Sequence, residues 1–248
     1  MSSGFLVAIP VFNEEAYLSE VVREVRRYAS EILVVDDGST DATPRLLARE
    51  RLTAVVRHPE NRGYGASLAS AFCYARRHGY RWLITMDCDG QHEPSLIPAF
   101  EQVAAGDAYD IISGSRYLEP NPNDDQPPAD RRAINGRITR MLNERLRMSL
   151  TDAFCGFKAY RVGMLNRFRV TVPGYAMPLQ FWVQAWRAGL RIVEVPVRLI
   201  YNDPNRYFGG HLDDADSRLA HYVRVFETEL GAAPVAVNTP DDCELRTA

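Results

Sequence analysis

The sequence predicts an α/β domain, a mainly parallel sheet flanked by helices on both faces. Three observations carry this. Short runs rich in Val, Ile and Leu alternate with segments of helical periodicity between Phe5 and Asp89. The runs are apolar at consecutive positions, as strands covered on both faces must be. Two of them end on paired acids, Asp36-Asp37 and Asp87-Cys88-Asp89, and ligands of open α/β sheets bind at such carboxyl ends.

Each element has its own signal. Phe5–Pro10 reads as a first buried strand, and Asn13 as the opening of a helix carrying Leu18, Val21, Val22 and Val25 on one stripe. Glu31–Val35 is a second strand. Ser39, Thr40 and Asp41 are capping types for a helix through Glu50, with Pro44 in its first turn. Leu52–Arg57 is a third strand and Asn61–Gly65 a turn. The next helix carries Leu68, Ala71, Phe72 and Ala75 and stops at Gly79. Trp82–Met86 is a fourth strand. A helix over Ser95–Ala105 and a fifth strand over Asp110–Gly114 follow.

The segment 119–130 holds four prolines, two asparagines and four acids in twelve residues, so it reads as a long surface loop that closes over a site. Ala133–Arg147 is helical. Phe157–Tyr160 reads as a strand, Leu179–Ala188 as a helix, and Ile192–Tyr201 as a last strand whose Pro196 implies an edge or a break. Ser217–Glu229 is a terminal helix.

The 248 residues, 46% hydrophobic and 25% charged, suit one large domain, here residues 1–230 with a tail over 231–248. Acids number 32 and bases 29, for a net charge of −3, which gives no reason to expect nucleic acid. Lys158 is the only lysine, so 28 of the 29 bases are arginine. Arginine suits bidentate phosphate binding, although compositional bias of the genome explains the same count. Cys73, Cys88, Cys155 and Cys243 form no CxxC pair, which favours reduced thiols in a cytoplasm. No run approaches the ~18 apolar residues of a membrane span, and no signal peptide or G-x-x-x-x-G-K-[ST] loop is visible.

The chemistry concentrates at the two acidic strand ends. Asp87 and Asp89, alternate residues past a strand, can aim two carboxylates into one pocket. Such a pair repels unless a cation sits between. Oxygen ligands select Mg2+ or Mn2+, which commonly bridge a diphosphate, and Gln91 can add a neutral oxygen. The alternative is a solvated turn. A strand-end acid such as Asp37 or Asp36 can accept from a nucleoside base or ribose, while Ser39 and Thr40 serve as caps. Arg116 follows a strand at the same sheet edge. Arg131 and Arg132 open a helix, where backbone amides favour an anion; ordinary surface arginine is the competing reading. The helix 131–147 has six arginines and one glutamate, a local +5. It either lies on an anionic membrane or buries its apolar face in its own core.

Five motifs occur in order: Pro10-Val11-Phe12-Asn13-Glu14, Asp36–Thr40, Asn61-Arg62-Gly63-Tyr64-Gly65-Ala66, Asp87–His92 and Ser113-Gly114-Ser115-Arg116-Tyr117. With Asp152–Lys158 and Glu194-Val195-Pro196-Val197, they resemble the family 2 glycosyltransferases of GT-A, Rossmann-like fold. Within these they resemble the dolichol-phosphate, or polyprenyl-phosphate, mannosyltransferase group. The resemblance covers residues 4 to about 200.

That resemblance implies a nucleotide-binding half over 1–117 and an acceptor half over 118–230. Pro10, Phe12 and Glu14 would border the nucleotide, and Asp37 with Asp36 would contact its base or ribose. Asp87, Asp89 and Gln91 would meet the diphosphate and its metal. Arg116, Arg131 or Arg132, Asn135 and Arg206 would serve the acceptor phosphate. The implied reaction moves a hexose from GDP-mannose or UDP-glucose to a polyprenyl phosphate with inversion, on the cytoplasmic side of a membrane surface.

Two departures bear on the acceptor. The region Asn202–Asp214 lacks the serine and lysine of the group's glycine-x-serine-lysine element, and His211 there reads as a loop residue or a late metal ligand. Gln180 stands where relatives that use hydroxyl acceptors carry an acid. A hydroxyl needs its proton removed and a phosphate does not, so the missing acid leans toward phosphate, with Asp152 as fallback base. The alternatives are a same-fold enzyme with a soluble hydroxyl acceptor, a nucleotidyltransferase, and a non-catalytic scaffold.

Overall fold

The computed structural model describes residues 4–119, 121–202 and 210–233. Arg206 and the tail beyond residue 233 lie outside these residues, as does the side chain of His211. The strands are β1 (Phe5–Val11), β2 (Ile32–Asp36), β3 (Ala54–Arg57), β4 (Trp82–Thr85), β5 (Ile111–Ser115), β6 (Lys158–Arg161) and β7 (Ile192–Pro196). They form one sheet in the order β3-β2-β1-β4-β6-β5-β7. All neighbours are parallel except β6, which runs antiparallel to both β4 and β5. The chain builds outward from β1 to β3, then returns to β4 on the other side of β1. The β1–β4 boundary is therefore a topological switch point, where connections leave in opposite directions and open a crevice.

Strand period 2 sends alternate residues to opposite faces. Val7, Ile9, Val34 and Ile84 pack on one face with α1 (Leu18–Val25) and α4 (Ile97–Ala105). Leu6, Ala8, Leu33 and Leu83 pack on the other with α3 (Tyr64–Arg77), α5 (Ala129–Leu146), α6 (Met177–Arg187) and α7 (Ala215–Gly231). The short α2 (Thr43–Leu47) adds Leu47 to the first face. Both faces are covered, which is why both strand parities are apolar.

Several elements differ from the sequence reading. Asn13 does not open a helix. It sits at φ +56°, and its Oδ1 accepts from the Thr40 and Asp41 amides at 2.8 and 3.3 Å. Ser39 Oγ accepts from the Asn13 amide and Thr43 Oγ1 from that of Glu14. The capping-type residues thus stitch two loops together at the sheet edge. The last strand stops at Pro196. Beyond it, Tyr201 and Leu199 donate their amides to the Asp125 and Asp124 carboxylates. Residues 123–125 of the acidic segment are therefore pinned along residues 198–201 rather than standing as a loose flap. In α5, the stripe Ile134, Ile138, Leu142 and Leu146 is buried in the core, so its apolar face is not offered to a membrane.

Candidate active site

A cavity of about 460 Å³ opens at the carboxyl ends of β1 and β4, within the ~300–1,000 Å³ usual for small-ligand sites. Pro10, Phe12, Glu14, Asp37, Asp87, Asp89, Gln91, Arg116, Arg131 and Asn135 all line it. Asp36 and Arg132 do not. Asp36 is fully buried beneath the edge, accepting from the Ser39 amide at 2.9 Å and facing Arg57 Nε at 3.2 Å. Arg132 points outward and is exposed. The reason is periodicity: on α5 only Arg131, Ile134 and Asn135 share the cavity side.

Asp37 is held by its neighbours. Its carboxylate accepts from the Arg62 amide at 2.9 Å and the Gly63 amide at 2.7 Å, and His58 Nδ1 stands 2.5 Å away. His58 Nε2 in turn meets Ser70 Oγ at 2.8 Å. Glycine is required twice around it. A Cβ on Gly38 would meet Glu60 backbone at 2.4 Å, and one on Gly65 would meet the Val172 carbonyl at 2.2 Å.

Asp87 and Asp89 follow β4. A Cβ on Gly156 would lie 2.5 Å from an Asp87 carboxylate oxygen, so a larger residue there would force that carboxylate to shift. The only lysine, Lys158, is buried on β6 and donates Nζ to the Cys155 carbonyl, steadying that turn. Burial lowers its pKa. The Tyr64 hydroxyl also bonds Asp87, and burial together with the Asp87 charge pushes the phenol well above its usual range. Asp89 Oδ1 accepts from the Gln91 amide at 3.0 Å, and its carbonyl accepts from Asn202 Nδ2 at 2.9 Å. Among the described residues, no group of three or more His, Cys, Asp or Glu side chains forms a complete metal cage. Two carboxylates and an amide are an oxygen-only, partial donor set. It fits a hard divalent cation whose remaining ligands come from a substrate.

The opposite wall is basic. Arg116 Nε and one Nη donate to the two Asp152 oxygens at 2.6 and 3.0 Å. The Arg116 amide at 3.3 Å, Asn135 Nδ2 at 2.9 Å and the Phe154 amide at 3.1 Å also donate to Asp152. Asp152 is fully buried. Burial alone would raise its pKa, but the charge and hydrogen bonds of Arg116, with those of Asn135 and Phe154, hold it well below the usual carboxylate range. This corrects the fallback reading: a carboxylate so satisfied is a poor proton acceptor, and it does not line the cavity. Glu194 accepts from the Thr151 and Asp152 amides at 2.8 and 3.0 Å, fixing the loop that carries Asp152. Arg131 stacks its guanidinium 5.5 Å from the Tyr201 ring centre. Gln180 is structural: its Oε1 accepts from the Thr171 and Val172 amides and its Nε2 donates to Glu229.

Sequence reasoning missed Arg218. It is 2% exposed, lines the cavity, pairs with Asp130 and donates to the Leu212 carbonyl at 2.7 Å. The signal was present, because Arg218 lies on the same helical stripe as Tyr222 and Phe226, where an arginine is out of place without a partner.

An acidic wall, a basic wall and a crevice at a sheet switch point are the geometry of an α/β enzyme. The family model described as Glycosyl transferase family 2 matches residues 6–169. The chain belongs to glycosyltransferase family 2 and is a glycosyltransferase. It is 32% identical to a polyprenol monophosphomannose synthase of Mycolicibacterium smegmatis over 88% of this chain and 86% of that one. It is 28% identical to an undecaprenyl-phosphate mannosyltransferase of Micrococcus luteus, over 85% of this chain and 90% of that one. The solved structure of glucosyl-3-phosphoglycerate synthase from Mycobacterium tuberculosis, with Mn2+ and UDP-glucose, has the same GT-A fold. Its TM-score is 0.67 at 18% identity, covering 92% of this chain and 79% of that one.

Proposed function

We propose that the enzyme transfers a hexose from GDP-mannose or UDP-glucose to a polyprenyl phosphate, with inversion and with Mg2+ or Mn2+. The observation that carries this is the pairing of Asp87 and Asp89 with Arg116, Arg131 and Arg218 across one cavity. Acids facing a diphosphate need a cation, and arginines facing them suit a second, anionic substrate. The relatives named for polyprenol and undecaprenyl phosphate support that acceptor class.

In this reading Asp37 and Glu14 receive the nucleoside. Asp87, Asp89 and Gln91 would hold the divalent metal, whose charge would offset that of the departing diphosphate. Asp152 fixes the plane of Arg116, and Arg116 and Arg131 orient the acceptor phosphate. One phosphate oxygen forms the new bond to the anomeric carbon as the bond to the nucleoside diphosphate breaks. The acceptor is already anionic, so no base is used. Residues 121–127, pinned through Asp124 and Asp125, wall off water that would hydrolyse the donor.

Among the described residues no helix is long and apolar enough to cross a membrane. A lipid acceptor would bring the enzyme to the cytoplasmic membrane surface. The exposed Arg132, Arg137 and Arg140 on the outer side of α5, with Arg147 just past its end, would each favour an anionic surface by roughly 1 kcal/mol before screening.

The test is release of nucleoside diphosphate from GDP-mannose and UDP-glucose, with Mn2+ or chelator, with and without a polyprenyl phosphate. Metal-dependent release that rises with the lipid is the expected result. Metal-dependent release with no response to lipid would reject the acceptor, and no release from either donor would reject the reading.

A further inference from the structure

β2 and β3 run parallel with Asp36 opposite Arg57, and the same register carries one residue past both strand ends. Arg57 faces Asp36, and His58 faces Asp37. His58 and Asp37 are buried, as is Ser70 on α3. The His58 ring bridges the other two: Nδ1 stands 2.5 Å from an Asp37 oxygen and Nε2 2.8 Å from Ser70 Oγ. A carboxylate accepts, so the hydrogen of the first contact lies on Nδ1. A hydroxyl both donates and accepts, so Ser70 serves Nε2 in either protonation state of the ring. The His58 amide donates to the Asp36 carbonyl at 2.8 Å, which fixes the backbone from which the ring reaches out.

Asp37 is gripped by separate elements. Its own amide donates to the Val11 carbonyl at 2.9 Å, at the end of β1. Its carboxylate takes the Arg62 and Gly63 amides, which belong to one turn. His58 comes from the end of β3, and Ser70 ties it to α3. Asp37 lines the cavity at the switch point, whereas neither His58 nor Ser70 does. The ring therefore acts on a bound ligand only through Asp37. Packing alone does not call for this arrangement. Polar side chains buried together cost stability unless each is bonded, and apolar residues would fill the same space without that cost. What a fully bonded relay adds is direction: it specifies one orientation of the carboxylate.

We propose that His58, braced by Ser70, is the positioning residue that aims the Asp37 carboxylate at the nucleoside of the donor. This rests on the donor reading above, in which Asp37 receives the nucleoside.

The test compares ligands with and without a nucleoside. GDP, UDP and inorganic pyrophosphate, each with Mn2+, are titrated calorimetrically into the full chain. Pyrophosphate carries the diphosphate alone, so it reads the Asp87–Asp89 side without Asp37. His58→Leu weakens the nucleotide that the parent binds by about tenfold or more, the scale for a misaimed contact group, and leaves pyrophosphate affinity unchanged. His58→Asn recovers most of the loss, because its Nδ2 is as many bonds from Cα as the histidine Nδ1 and can donate to Asp37. Ser70→Ala removes only the brace and gives a smaller loss on nucleotide, about threefold. Equal losses on nucleotide and pyrophosphate, or an asparagine variant no better than leucine, would make the relay general packing and overturn the proposal. Nucleotide affinity indifferent to all three variants overturns it as well, while the donor reading stands. Where His58→Leu does not fold, Ser70→Ala decides by the same comparison: loss on nucleotide only, against an equal loss on both or none. If the parent binds neither GDP nor UDP, the donor reading fails and takes this role with it.

Discussion

The acidic and the basic walls face each other across one cavity and are held by different means. Asp37, Asp87 and Asp89 are positioned mainly by backbone: amides of Arg62, Gly63 and Gln91, and a glycine at 156 that leaves room. Arg116 and Arg218 are positioned by charged partners, Asp152 and Asp130, that come from other elements. Backbone amides are available wherever a strand ends and turns. A buried guanidinium is tolerable only with a carboxylate beside it. The acidic wall can therefore be written in short contiguous motifs, whereas the basic wall needs long-range pairs.

The largest effect separates the walls by chemistry. Asp89→Ala lowers turnover by about 10²–10³-fold, the scale for losing charge stabilisation in a transition state, with stability little changed. Steady-state rates and thermal unfolding check both halves. Turnover retained in that variant would remove the metal-side role.

Arg116→Met tests the other means of support. It strands the buried Asp152 and should cost about 3–5 kcal/mol of stability in urea unfolding, besides raising the acceptor KM. A variant as stable as the parent would show that the Arg116–Asp152 pair is not what holds this wall. Gly156→Ala asks whether space alone positions Asp87. The added methyl should cost about 1–3 kcal/mol through overpacking and lower the affinity for metal and nucleotide together. Unchanged metal affinity would mean that Asp87 can move aside freely. Arg131→Met is the mildest, because this half-buried arginine stacks on Tyr201. It should raise the acceptor KM by about tenfold, the loss of one charge-assisted contact, with little change in stability.

The pH dependence sharpens the same contrast. Asp152 has its pKa depressed in the folded state; burial opposes the shift, and Arg116 outweighs it. Its contribution is therefore complete above the ordinary carboxylate value of about 3.9 and is lost as pH falls from there through the folded value. Urea midpoints between neutral and acid pH should fall more steeply in the parent than in Asp152→Asn. Parallel curves would contradict the pairing.

Legibility followed the same division. Asp37, Asp87, Asp89 and Gln91 were visible because each sits just past an apolar run, and the sheet edge does the rest. Arg116 is visible for the same reason, but its partner reads from sequence only as a fallback base, since nothing local tells that Asp152 lies under Arg116. Asp36 and Asp37 are adjacent, and strand alternation sends one beneath the edge and the other into the cavity. Arg218 was passed over because its meaning depends on Asp130 and on the segment ending at Leu212.

By itself the sequence determined the strand-helix alternation, the two buried faces and the edge at which the acids gather. These follow from periodicity and from residues that are neighbours in the chain. Only the tertiary structure decided that β6 enters antiparallel between β4 and β5, that residues 123–125 are pinned along 198–201, and that Asp152 lies fully buried against Arg116. A four-residue strand carries no mark of its direction or its neighbours. A carboxylate's role is set by the charges that folding brings within reach, and those lie tens of residues away along the chain.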